Sequence, residues 1–162
     1  MRKPNYIFSK YPLYSNETPV FRETKNQRYV SNGKFNDYPD YLAYLYNNSG
    51  IHGSIVKGKA DYIFGKGWKI KKEWGGDEAK LNALMDSING FQTLNELSRK
   101  IIFERTLYGG SYYLIEWGTL GKPMSISQLP YNTVRTDLEC KTFFYSKEWT
   151  REMSAKSYYK RG

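Results

Sequence analysis

One histidine, His52, and one cysteine, Cys140, are the only residues of their kinds in the 162-residue chain. Two such residues cannot make a metal set of the usual spacing, so no metal ligands are assigned and no cofactor is expected. His52 falls on the apolar side of a helical stretch, which favours a satisfied core or interface histidine over a ligand. Two glycine–lysine stretches invite a phosphate-binding reading: Gly65-Lys66-Gly67 and Gly118-Thr119-Leu120-Gly121-Lys122. The second has too few residues between its glycines for a P-loop. Pro123 also stands where a Ser or Thr should follow the lysine, and the stretch sits in a hairpin rather than at a helix start. Both are read as turns. The carboxylates are scattered over cap and ion-pair positions, with no pair suited to acid–base or two-metal work. No catalytic residue is assigned, and an enzyme such as a nucleotidyltransferase is disfavoured.

The elements that hold these residues are organised around Thr93 to Arg135. Thr93 and Glu96 have capping-box spacing ahead of an apolar run, which predicts a long helix. Leu94, Leu97, Ile101 and Tyr108 share its inner face, and Glu96 and Lys100 form an i,i+4 pair. Gly109-Gly110 supplies a left-handed stop. From Tyr112 the period becomes that of a strand, with Tyr113, Ile115 and Trp117 on one side and Tyr112, Leu114 and Glu116 on the other. Gly118 to Lys122 make the turn to a return strand.

Upstream, Pro39 opens a helix that Asn47 to Gly50 ends. A second helix, about Ile51 to Phe64, directs His52, Ile55, Val56, Ala60 and Ile63 inward. Trp68 to Glu73 alternates as a short strand. Glu73-Trp74-Gly75-Gly76 is a turn, and Asp77 caps a helix that carries Leu81, Leu84, Met85 and Ile88 and ends on Asn89-Gly90. Thr142 to Ser146 reads as a last strand. The fold class is α+β: several helices packed on a small antiparallel sheet, with an extended N-terminal arm over 1–36, a domain over 37–148 and a tail over 149–162.

Twenty-five Lys and Arg against sixteen Asp and Glu give a net charge of +9, which raises the expectation of a polyanionic partner. Aromatic residues make up 17%, with 16 tyrosines, a residue suited to contacts that are buried only against a partner. The arm mixes Tyr6, Phe8, Tyr11, Tyr14, Phe21 and Tyr29 with basic residues and holds no period, as a segment would that orders against a neighbouring subunit. A single cysteine fits a reducing compartment, and no stretch reads as a signal peptide or a bilayer-spanning helix. The expectation is a soluble, intracellular protein with no membrane partner.

Two stretches, YPDYLAYLYNNSGIHGSIVKGKADYIFGKGW and IIFERTLYGGSYYLIEWGTLGKPMSISQLPYNTVRT, resemble the N-terminal part of tailed-bacteriophage portal proteins. The likeness covers about residues 38 to 137. It lies at Ser49, His52, Ile55, Val56, Lys59, Ala60, Gly65 and Gly67, then at Tyr108, Gly109, Gly110, Leu129, Pro130, Val134 and Arg135. The resemblance implies a structural subunit of a head–tail connector, a homo-oligomeric ring, commonly a dodecamer, at one capsid vertex of the virion, assembled in the host cytoplasm. Such a ring meets capsid and packaging-motor proteins and passes double-stranded DNA without sequence preference during packaging and ejection, while an ATPase on another chain supplies the work. The stretch present corresponds to the wing-like part of that family. Its stem helix, clip and crown would follow Gly162, so the expectation is a fragment or a reduced relative.

On this reading Lys57, Lys59, Lys66, Arg99, Lys100 and Arg105 are the candidate weak DNA contacts. The alternative is a small nucleic-acid-binding module in which the Tyr-rich hairpin is a stacking platform and the basic surface a phosphate track.

Overall fold

Helix α4 (Leu94–Tyr108) begins where its capping residues require. In the computed structural model, which describes residues 22–23, 28–33, 36–71, 76–147, 149 and 156–160, both bonds of the capping box form. Thr93 Oγ1 accepts from the Glu96 N–H at 3.1 Å, and Thr93 N donates to Glu96 Oε2 at 2.8 Å. These bonds, the Thr93 N–H first, hold the Glu96 carboxyl below the usual range, and the pull of Lys100 is the least of the causes. The expected Glu96–Lys100 pair therefore does not close. The carboxylate is turned back over the helix start, and Lys100 Nζ donates to Gln92 Oε1 at 3.0 Å instead.

Helix α1 (Tyr38–Asn48) has Pro39 buried in its first turn, and α2 (Gly50–Phe64) follows after a single residue. Ser49 serves both helices, its N–H closing α1 onto Leu45 O while its hydroxyl accepts from His52 N at 3.3 Å. The two helices cross closely at Gly53, where a Cβ would stand 2.7 Å from Tyr46 O. Val56 and Ala60 are the buried residues of α2, and Ile55 and Ile63 are exposed, against expectation. The small residues Gly53 and Ala60 let α1 and α4 approach one stripe of α2. The bulkier isoleucines are left on the flank and outside.

Helix α3 (Glu78–Asp86) starts at Asp77, whose Oδ1 accepts from Lys80 N, and ends three residues before the expected Asn89. Ile88 is buried beyond the helix end, in a turn held by Asn89 Oδ1 accepting from Gln92 N at 3.1 Å. Leu84 of α3 is exposed, also against expectation.

The strands form three small antiparallel sheets, so the fold is α+β. Strands β1 (Arg22–Glu23) and β2 (Val30–Ser31) pair within the stretch read as an arm. Residues 1–21 of that arm lie outside the described residues. Strands β3 (Tyr112–Trp117) and β4 (Pro123–Leu129) make the expected hairpin, Tyr112 opposite Leu129 and Ile115 opposite Ile126, with a shift at Glu116/Trp117. Strand β6 (Thr142–Tyr145) lies between β5 (Val134–Thr136) and β7 (Lys156–Lys160). Residues 156–160, read as part of a tail, thus complete a sheet.

The strand expected over Trp68 to Glu73 is absent from its described part. Residues 68–71 pair with no described strand, and Asn95 of α4 takes the backbone of the first of them, Trp68. Its Oδ1 accepts from Trp68 N at 2.7 Å and its Nδ2 donates to Trp68 O at 3.4 Å. Residues 72–75, with most of the turn expected there, are outside the described residues.

Helix α4 has two loaded sides, and this spreads its apolar residues beyond one stripe. Phe103 meets Tyr46 of α1 edge-on at 5.0 Å, and Arg99 pairs with Asp61 of α2 at 2.6 Å. Leu97 is only 2% exposed, and Leu107 is buried as well. At the C-terminus the two glycines answer different demands. Gly109 has φ of 81° with open space around its missing Cβ, whereas a Cβ on Gly110 would come 2.9 Å from the Tyr131 ring. Gly109→Val is expected to cost about 1–2 kcal/mol through the left-handed backbone alone, and Gly109→Asn clearly less. Gly110→Ala should destabilise through Tyr131 instead. Thermal melts of the three variants check this, with Gly109→Asn retaining the midpoint best.

Candidate functional site

Arg135 is 1% exposed and lies at the centre of the cluster that the motif positions build. It comes from β5, directly after the 3-10 turn Tyr131–Thr133. Pro130 sets that turn, its carbonyl accepting from Thr133 N at 2.9 Å and Thr133 Oγ1 at 2.7 Å. The guanidinium then spends its donors on oxygens that carry no charge. Nε donates to Asn36 Oδ1 at 2.7 Å and Nη2 to Asn36 O at 2.9 Å. Nη1 donates to Asn132 O at 3.0 Å and Val134 O at 2.9 Å. The Trp149 ring lies 5.0 Å from the guanidinium carbon, a cation–π distance.

Among the described residues no carboxylate pairs with Arg135 directly. Asp40, the nearest charge of opposite sign to act on it, is bonded to Asn132 Nδ2 at 3.1 Å. Burial pulls Arg135 down to about 10, and Asp40 with Tyr131, Tyr112 and Tyr29 opposes that pull. It stays cationic at neutral pH.

Asn36 makes this possible by holding φ of 59°, a left-handed backbone that asparagine tolerates. In that conformation its carbonyl and its side-chain oxygen both face Arg135, and Oδ1 also accepts from Asn32 N at 2.9 Å. The boundary between arm and domain, placed after residue 36, therefore runs beside a contact in which both side chains are buried.

Beside the arginine stands a tyrosine stack. Tyr131 lies against Tyr108 with centroids 5.0 Å apart and planes 8° apart, and against Tyr112 at 5.2 Å and 21°. Burial pushes Tyr108 and Tyr112 up to about 12, far from any role as acid or base at neutral pH. Glu104 of α4 accepts from Tyr131 N at 3.2 Å through Oε1, while its Oε2 is buried with no partner. Burial raises the Glu104 carboxyl above its usual range, more than Gln128 and the Tyr131 N–H lower it. The cluster is a joint between α4, both C-terminal sheets and the segment leading into α1.

Of the motif positions, Tyr108, Gly109, Gly110, Pro130 and Arg135 meet at this joint. Gly65 and Gly67 lie apart, at the end of α2. Both have positive φ, 57° and 73°, and a Cβ on Gly67 would meet Asn95 Oδ1 at 2.7 Å. His52 is half-buried, and its ε nitrogen is buried without a partner, so it is not the satisfied histidine expected.

The candidate DNA contacts differ in their settings. Lys57, Lys59 and Lys66 are exposed, but Lys57 and Lys59, two residues apart on α2, point about 200° apart. Arg99 is taken by Asp61 and the Phe64 ring, Lys100 by Gln92, and Arg105 stands alone on the last turn of α4. Of the hairpin aromatics, Tyr112 is held in the stack, and Tyr113 and Trp117 are exposed.

Cys140 is exposed and free. Among the described residues no three His, Cys, Asp or Glu side chains gather where a metal could sit, and no helix is long and apolar enough to cross a membrane. Asn36, Asn95, Glu104 and Tyr131 all escaped the sequence reading. Only Tyr131 carried a signal there, as the residue after Leu129-Pro130. No family model matches the chain, and a search of the curated proteins finds no match.

Two outcomes check the joint. Arg135→Lys keeps the charge but loses the planar fork, and is expected to cost on the order of 3 kcal/mol in chemical denaturation. Glu104 has a folded pKa above its unfolded one, so its stabilising share is complete below the ordinary glutamate range and is lost as pH rises through the raised value. Glu104→Gln should accordingly match the wild-type melting midpoint in acid and exceed it at neutral pH. A constant difference across that window would show that the carboxyl does not titrate as described.

Proposed function

We propose that the chain is a structural subunit of a tailed-phage or prophage portal, the ring at the capsid vertex through which double-stranded DNA enters and leaves. The observation that carries this reading is the ordered series of motif positions from Ser49 to Gly67 and from Tyr108 to Arg135. It gains support from where the second series falls. Gly109, Gly110, Pro130 and Arg135 each meet a separate demand of one joint, which makes their co-occurrence hard to obtain by chance spacing.

The dispersed charge fits this role. A ring that passes DNA must not grip it, and of the candidate contacts Arg99 is already paired with Asp61 and Lys100 with Gln92. Capsid and motor proteins would be the other partners. The binding-module alternative rests on the exposed Tyr113 and Trp117, which share one side of β3, but it loses Tyr112 to the Tyr131 stack.

Negative-stain electron microscopy of the protein, with duplex binding followed by fluorescence anisotropy, tests the reading. Closed rings are expected, with duplex affinity no tighter than roughly 10⁻⁴–10⁻⁶ M at physiological salt. Ring-free particles that bind nucleic acid at nanomolar concentration, and lose it on Tyr113→Ala, would overturn the proposal in favour of the module.

A further inference from the structure

Asparagine is followed by glycine at two places in the chain, 32–33 and 89–90. Such a pair is the one most open to attack on its own amide, because glycine puts no side chain in the way of its nitrogen. The two sites are held differently. Asn89 is locked at both ends of its amide. Its Nδ2 donates to Ile126 O at 3.0 Å and Ser127 Oγ at 3.5 Å, and its Oδ1 accepts from Gln92 N at 3.1 Å and Phe91 N at 3.4 Å. Gly90 N, the atom that would attack, donates to Ser87 Oγ at 3.2 Å.

At 32–33 the anchors are all in the main chain. Asn32 N donates to Asn36 Oδ1 at 2.9 Å, and Asn32 O accepts from Tyr38 N at 3.2 Å. Among the described residues no hydrogen bond holds the Asn32 side-chain amide or Gly33 N. The fold cannot give up this glycine. Gly33 has φ of 84°, and a Cβ there would stand 3.3 Å from Tyr38 Cβ.

We propose that Asn32 is a site of spontaneous deamidation, a covalent modification that unfastens Asn36, and that Asn89 is protected while the chain is folded. Gly33 N gives up its proton and attacks Asn32 Cγ. The new C–N bond closes a succinimide ring, the Cγ–Nδ2 bond breaks, and Nδ2 leaves with the proton as ammonia. Water then opens the ring. Addition at Cγ gives aspartate, and addition at the main-chain carbonyl gives isoaspartate, whose main chain runs through the side-chain carbons. The isoaspartyl chain is longer between the nitrogens of residues 32 and 33, so the bonds to Asn36 Oδ1 and from Tyr38 N lose their common register. Asn36 Oδ1 is also the acceptor for Arg135 Nε at 2.7 Å, which carries the loss to the buried guanidinium. This inference is independent of the portal reading.

The test is peptide mapping by mass spectrometry of the full chain aged in mildly alkaline buffer, folded and in urea. Cleavage after Lys and Arg places Asn32 in residues 29–34 and Asn89 in residues 81–99. Both sites should convert in urea. In the folded chain Asn32 is expected to convert while Asn89 keeps its amide, and the aged chain should melt at a lower midpoint than the fresh one. Asn32→Ser keeps both main-chain bonds and cannot form the ring, so it should fold as the wild type does and age without that loss. An Asn32 still amidated in the folded chain once the urea sample has converted overturns the proposal. So does conversion of Asn89 at the same rate in the folded chain. A chain converted at Asn32 that melts like the fresh one, or an equal loss on ageing in Asn32→Ser, overturns the link to Asn36.

Discussion

A guanidinium sealed from water, and met by no carboxylate among the described residues, is the constraint on which the rest of this fold depends. Removing a charge from water costs several kcal/mol unless hydrogen bonds replace the lost hydration. Arg135 replaces it with three backbone carbonyls, one amide oxygen and an aromatic face. Those acceptors belong to residues 36, 132 and 134, with Trp149 beyond, so one side chain ties together three separated pieces of chain. Each carbonyl must be aimed by its own backbone. That requirement explains the left-handed Asn36 and the tight turn after Pro130. The helices, by contrast, could form without Arg135.

The local pieces could be read directly from the chain. The capping box at Thr93, the cap at Asp77, the left-handed Gly109 and the β3–β4 hairpin follow from short-range rules, and each formed as expected. The misreadings have one physical source. Helix α2 has two apolar stripes, and periodicity cannot say which one meets a neighbour; the small residues Gly53 and Ala60 decided it by allowing close approach. Residues 68–71 alternate like a strand, yet Asn95, twenty-seven positions from Trp68, takes the backbone N–H and carbonyl of that residue. The Asn36–Arg135 contact spans ninety-nine positions, which no window detects. The candidate site was therefore visible as a list of positions and invisible as a joint.

The joint also bears on what the protein could do. Its tyrosines are stacked on one another, and burial keeps them neutral at ordinary pH. Its arginine is consumed by the fold and is lost to any anionic partner. The apolar and basic groups left over lie on the outer side of α2 and along β3. Separate surfaces on one frame are what the proposed portal subunit would use to meet its neighbours.

The most direct test of the central claim is a double-mutant cycle between Asn36 and Arg135, with Asn36→Ala, Arg135→Met and the pair compared by chemical denaturation. Each single change should be costly, because each leaves buried polar groups without partners. The pair should cost less than the two together by about 2 kcal/mol, since removing the arginine also removes the demand on residue 36. Costs that simply add would contradict the account and return Arg135 to the status of one core residue among several.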